Sequence, residues 1–197
     1  MTKLFVALLS GVFALASAAA DAQTSMRVRG TITAVDGNVL SVKTRDGKDL
    51  KLQVTDKTTV AAAKAITLAE LKPGQYVGST TMKRPDGTLV AIEVHTIAPT
   101  VPEGHVAWDL QPGSMMTNAN VAAVVQAAGG HELTLEYKGG SQKILVPDGV
   151  PIVTTVPADR SLLVPGAYVF IPAQVAPDGT MTAPRIQVSK DGVKPPQ

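Results

Sequence analysis

In Leu89–Thr96, apolar Val90, Ile92 and Val94 alternate with Ala91, Glu93 and His95. A period of two sends one set into a core and the other toward solvent, so the segment predicts a half-buried strand with His95 on its solvated face. Thr31–Val35, Val39–Lys43 and Leu50–Val54 are short runs rich in β-branched and apolar residues, separated by Asp36-Gly37 and Asp46-Gly47. Asp-Gly between such runs predicts hairpins, because glycine takes the positive φ that a tight turn requires. Pro85-Asp86-Gly87 predicts another turn. Thr67–Leu71 breaks the rhythm: Thr67 as N-cap and Glu70 at the capping-box position predict one helical turn, and Asp159–Leu163 repeats it.

The pattern is written twice. Leu71-Lys72-Pro73-Gly74-Gln75-Tyr76-Val77 returns as Leu163-Val164-Pro165-Gly166-Ala167-Tyr168-Val169, an offset of 92. Pro85-Asp86-Gly87-Thr88 returns as Pro177-Asp178-Gly179-Thr180, and Val54 and Asp56 match Val146 and Asp148. Gly37, Leu40 and Val42 pair with Gly130, Leu133 and Leu135 at an offset of 93. Two copies of one unit follow, near 26–97 and 120–190. Two are too few for a solenoid, so each copy is expected to be its own small domain. The expected fold is all-β: two tandem small OB-like β-barrels, each with one short helical turn, with SH3-like barrels as the alternative. Closure into barrels suits a strand-rich chain because it removes sheet edges. The resulting division is 23–97 for the first barrel, 98–119 for a linker, 120–190 for the second barrel and 191–197 for a C-terminal tail.

Residues 1–22 read as an address. Lys3 precedes an apolar run from Leu4 to Leu15, and Ala20-Asp21-Ala22 fits the cleavage pattern of a signal peptide, placing the mature start at Gln23. The run falls short of the roughly 20 apolar residues that span a bilayer, and nothing downstream reaches that length. A periplasmic or secreted protein without a transmembrane segment is expected. Of 197 residues 45% are hydrophobic and 17% charged, which excludes a disordered polyelectrolyte. There is no cysteine, hence no disulfide, thiolate site or cysteine nucleophile. A net charge of +2 and few aromatics argue against nucleic acid.

No catalytic constellation emerges from the order of residues, so the expected protein is not an enzyme. His95 and His131 lack partners set by spacing, and both are expected at the surface. The linker opens with Ala98-Pro99-Thr100-Val101-Pro102, stiff by its prolines, and then carries His105, the single tryptophan Trp108, and Met115 and Met116. Two readings follow. In the first, Trp108, Asp109, Leu110, Met115 and Met116 form a plug between barrels. In the second, His105, Met115 and Met116 bind a soft metal such as Cu(I), with the indole as a shield. Adjacent methionines on a strand point to opposite faces, which favours the plug.

Arg27–Gly37, the Leu-x-Pro-Gly and Pro-Asp-Gly-Thr elements, and His105–Asn118 resemble a family of exported bacterial proteins of unknown function with tandem small β-barrel domains. Some members carry a label linking them to metal-transporter permeases, which a chain with no spanning segment does not support. The expected function is an exported, non-enzymatic binding or scaffolding module of the bacterial cell envelope, its partner an envelope protein or small ligand. Soft-metal binding is the alternative. Intact-mass measurement on envelope-fraction protein should give a chain starting at Gln23; a full-length mass there would refute the leader.

Overall fold

The computed structural model describes residues 24–196, so the expected leader, its cut before Gln23, and Gln197 lie outside the described residues. The described chain is all-β, 58% strand and 3% helix. The first copy supplies β1 (Thr24–Asp36), β2 (Val39–Thr44), β3 (Asp49–Gln53), β4 (Thr59–Ala65), β5 (Tyr76–Lys83) and β6 (Leu89–Thr96). The linker contributes β7 (Gly104–Ala107) and the start of β8 (Met115–Ala127). The second copy continues with β9 (Gly130–Tyr137), β10 (Gly140–Val146), β11 (Ile152–Pro157), β12 (Tyr168–Val175), β13 (Met181–Thr182) and β14 (Arg185–Val188).

Local chemistry explains the punctuation. Gly37 and Gly47 turn their hairpins at φ +54° and +85°. Asp86 Oδ1 accepts the Thr88 N–H at 2.9 Å, and Asp178 Oδ1 accepts the Thr180 N–H at 2.8 Å, so the Pro-Asp-Gly-Thr turns are built alike in both copies. The expected helical turns are single 3₁₀ turns, Leu68–Glu70 and Arg160–Leu162. Glu70 accepts the Thr67 N–H at 2.7 Å, and Asp159 accepts the Ser161 N–H at 2.8 Å.

The strand pairing departs from the expected one-copy, one-barrel plan. Strands β5, β8, β9, β10 and β6 pair in a closed cycle, a five-strand barrel. Three of its strands come from the second copy and two from the first. A second cycle, β1–β2–β3–β13–β12, closes through the single partnership of Thr182 with Gln53. It takes three strands from the first copy and two from the second. Each copy therefore crosses over after its fourth strand and finishes the other copy's ring. The crossing is made where β4 and β11 pair antiparallel, with Ala63 opposite Thr155. Those two residues are equivalent in the repeat, so a pseudo-twofold axis passes through their pair.

The register also corrects the offset. β1 and β8 carry the same bulge, between Ile32 and Ala34 in one and between Val121 and Ala123 in the other, an offset of 89. The β8–β9 hairpin reaches past the β1–β2 hairpin: Val124 pairs with Leu133 where Val35 pairs with Leu40. Hairpin arms lengthen at little cost because their tips lie in solvent.

Each ring has its own core, and each core mixes the copies. Val28, Ile32, Leu40 and Leu52 pack with Val169, Ile171 and Ile186; Val77, Ala91 and Val94 pack with Ala119, Leu133 and Ile144. In β6 the alternation is interrupted, since Thr80 faces Glu93 but Thr81 faces Ala91, leaving Ile92 as a bulge. Ala91 and Val94 thus both point inward, and Glu93 and His95 outward. In the second copy the equivalent of Ile92 is Pro184, and there the strand is broken into β13 and β14; proline in a sheet is tolerated at such a bulge because it has no N–H to pair. Co-expression of 24–99 and 101–196 as separate chains, one of them tagged, should yield a one-to-one complex that co-purifies. Two independently folded fragments would contradict the crossover.

Candidate functional site

The outer faces of the two rings meet, and between them lies a cavity of about 450 Å³. One ring presents His95, Met116 and Asn118; the other presents Phe170, Pro172, Arg185 and Gln187. Thr96 and Ile97 at the end of the first copy, Ala98, Val101 and Trp108 from the linker and Pro196 from the tail complete the wall, with Thr155 of the crossing pair. The volume falls within the range of small-molecule sites, roughly 300–1,000 Å³.

The pseudo-twofold relates the two sides position by position. At an offset of 92, His95 is equivalent to Gln187, Glu93 to Arg185, Gly78 to Phe170 and Thr80 to Pro172; at 89, Met116 is equivalent to Arg27 and Asn118 to Arg29. Every one of these pairs differs in chemistry. The inward positions stay alike: Val77 with Val169, Leu52 with Ile144, Ala91 with Ala183. A symmetric backbone carries an asymmetric site.

His95 is buried at 7% exposure, which corrects the expectation of a solvated surface residue. The polar face of β6 is covered by the other ring instead of by water. A Cβ on Gly78 would lie 2.6 Å from His95 Nε2, so the bare glycine backbone is what admits the imidazole. His95 Nδ1 has no hydrogen-bond partner among the described residues, and the nearest carboxylate oxygen, Glu93 Oε1, stands at 3.6 Å. Thr80 Oγ1 donates to Glu93 Oε1 at 2.9 Å. Burial pushes His95 down to about 4, so the ring is neutral at pH 7. Gln187 Oε1 is a second buried polar atom without a partner among the described residues. Arg29 Nε is the third such atom among the described residues and lies outside this wall, whereas His95 and Gln187 are both lining residues, their two atoms enclosed by protein. Native structures hold few such atoms, because each costs about 1–3 kcal/mol when left unpaired.

The linker crosses from one ring to the other. β7 takes the edge of β8 that β9 leaves open, and Ser114, buried, knots the loop between them by sharing its one O–H between the carbonyls of Trp108 and Gln111. The loop lays Trp108 against β1, where the Arg27 guanidinium sits 4.1 Å above the indole centroid. Asp109 accepts from Arg29 at 2.7 Å and from Arg27 at 3.3 Å. Arg29 itself is buried and stands over Phe170 at 5.2 Å, so the aromatic walls of the cavity are tied to this ion cluster. Partial burial raises the Asp109 carboxyl, but Arg29 and Arg27 outweigh it and hold it below the usual carboxylate range. Leu110 turns the other way, into a neighbouring cavity of about 500 Å³ that also contacts Glu93 and Pro195. Trp108 is half-buried and lines the cavity.

The soft-metal set is divided by the sheet. His105 lies opposite Thr117, which it meets at 2.8 Å, and Met115 lies opposite Ala107, so His105 and Met115 share one face of β8. Met116 is on the other face, buried beside Thr80. Sequence reasoning missed Phe170, Arg185, Gln187 and Gly78. The signal was present in the repeat itself, at the outward positions where two otherwise matching copies disagree.

Between about pH 6.5 and about 4 an unfolded His95 binds a proton that the folded one refuses, so stability falls as pH drops across that window, by up to about 3 kcal/mol. His95→Gln places on this side the amide that its equivalent already carries, and should remove most of the fall in melting temperature between pH 7 and pH 4.5. An unchanged fall would mean that other groups set the acid limb.

Residues 29–95 match a family described as a domain of unknown function, DUF5666. The match covers one copy of the repeat, and its strands are shared between both rings. No curated protein and no solved structure matches the chain.

Proposed function

We propose that this is an exported, non-enzymatic binding module of the bacterial cell envelope, and that its ligand is a small molecule held in the cavity between the rings. The observation that carries the reading is the cavity itself, about 450 Å³, walled by Trp108, Phe170, Ile97, Met116 and Pro172 with Asn118 and Arg185 among its polar residues. Aromatic and aliphatic walls with a few convergent polar groups are the usual make-up of a small-molecule site. Among the described residues the lining offers one neutral imidazole and apolar walls, a make-up suited to holding a molecule.

The ring order supports an OB-like reading of each barrel. Numbering only the five strands of a ring, β1, β2, β3, β12 and β13 or β8, β9, β10, β5 and β6, the cycle runs first, second, third, fifth, fourth, with the third and fifth parallel. OB barrels commonly bind on the face of their second and third strands. In the β8–β10 ring that face has only an open polar depression, where Lys143 is already tied to Glu132 at 3.0 Å. The junction is the better candidate. The soft-metal alternative draws little support from a His105–Met115 pair facing away from Met116.

Trp108 is the only tryptophan and lines the cavity, so its emission reports on occupancy directly. Titration with a neutral environment-sensitive dye and a panel of small aromatic molecules should change that emission and raise the melting temperature. The gain should follow RT ln(1 + [L]/Kd), about 2.7 kcal/mol at a hundredfold excess over Kd. If no probe acts, while Cu(I) raises the melting temperature and His105→Ala abolishes the rise, the metal reading takes its place.

A further inference from the structure

We infer that the cavity between the rings selects a small organic carboxylate with an aromatic or aliphatic body, the carboxylate lying on Arg185. The inference rests on the reading of this cavity as a ligand site and adds the class of ligand.

Charge makes the first selection. Among the described residues no acidic one lines the cavity, and Arg185 is the cation in its wall. The neighbouring cations are engaged elsewhere: Arg27 and Arg29 on Asp109, and Lys194 over the Tyr168 ring at 5.0 Å. Arg185 reaches only a neutral acceptor, Thr155 Oγ1 at 3.3 Å, and has no acidic partner among the described residues. A guanidinium holds a carboxylate through two parallel N–H donors, and this pairing strengthens beside apolar walls. The equivalent of Arg185 in the first copy is Glu93, which faces the neighbouring cavity. The two copies thus carry opposite charges at one position, and the cation is the one aimed here.

Size and surface make the second. A volume of about 450 Å³ far exceeds a bare anion, so the charge must come attached to a body. Trp108, Phe170, Ile97, Met116 and Pro172 would cover that body, and the two aromatics favour a flat one. A single guanidinium matches one negative charge, and a doubly charged phosphate monoester would enter these walls half neutralised.

The test uses the mature chain and four matched probes: 3-(4-hydroxyphenyl)propanoate, its neutral amide, 3-phenylpropanoate without the hydroxyl, and phenyl phosphate. Binding is read by Trp108 emission and by calorimetry. The hydroxy acid should bind at least tenfold more tightly than its amide, a difference of about 1.4 kcal/mol. Arg185→Gln should abolish that preference. Arg185→Lys, which keeps charge but not the fork, should recover only part of it, and melting curves of both variants establish that they fold. Equal binding of acid and amide, tighter binding of phenyl phosphate, or no binding of the acids while the neutral dye still binds would each overturn the carboxylate assignment and leave the cavity reading standing. Failure of the dye and of every probe together would overturn both.

Discussion

The antiparallel pair of β4 and β11 governs the rest of the molecule. Once the chain has run through β4, the next strand it makes closes the other ring, and the same happens after β11. Backbone hydrogen bonds at the crossing therefore hold the two rings at a fixed spacing, which a flexible linker between separate domains would not do. The cavity exists because of that spacing: two outer barrel faces are held side by side but too far apart to pack fully.

This arrangement divides the constraints on the two copies. Inward positions fill a five-strand barrel, and a barrel interior tolerates little change in volume, so Val77 and Val169, or Leu52 and Ile144, remain interchangeable. Outward positions at the junction face one another across the pseudo-twofold. Had they stayed identical, any charge there would have met its own kind near the axis. Replacing His95 by Gln187, Glu93 by Arg185 and Gly78 by Phe170 removes that conflict. It leaves a site with one polar, recessed side and one aromatic, cationic side. The ion cluster of Asp109 with Arg27 and Arg29 then fixes the linker over the opening, so Trp108 is held by charge as well as by contact.

Much of the fold was legible in the sequence because it is written in local chemistry. The Asp-Gly turns, the Pro-Asp-Gly-Thr turns, the Thr67–Glu70 capping box and the duplication depend on residues within a few positions of one another, or on a repeat that simple comparison finds. The crossover was not legible. A strand closing its own barrel and the same strand closing a neighbour's bury identical side chains, so alternation in β5 or β12 is the same either way. His95 was misplaced for a related reason: a polar residue on an outward strand face reads as solvated, and only a long-range partner can cover it. In β6 the Ile92 bulge also shifted the phase that simple alternation assumed. Of the candidate site, Trp108 and Met116 were found because the linker stands out from the repeats. Arg185 and Gln187 were hidden inside a copy whose resemblance to the other drew attention to the matching positions.

The crossover also sets the order in which this chain can become a protein. Gly30 has its partner at Val169, so the ring begun by β1 waits, with an open edge, until nearly the last strand has been made. The intermediate stages present unpaired β1 and β3 edges, the features that invite association between chains. High sequence separation between partners slows closure, because the entropy of a long loop must be overcome before any core forms. For a chain that emerges from one end, half-finished molecules cannot shelter behind a completed first domain, and the window of exposure extends across the whole length of the chain.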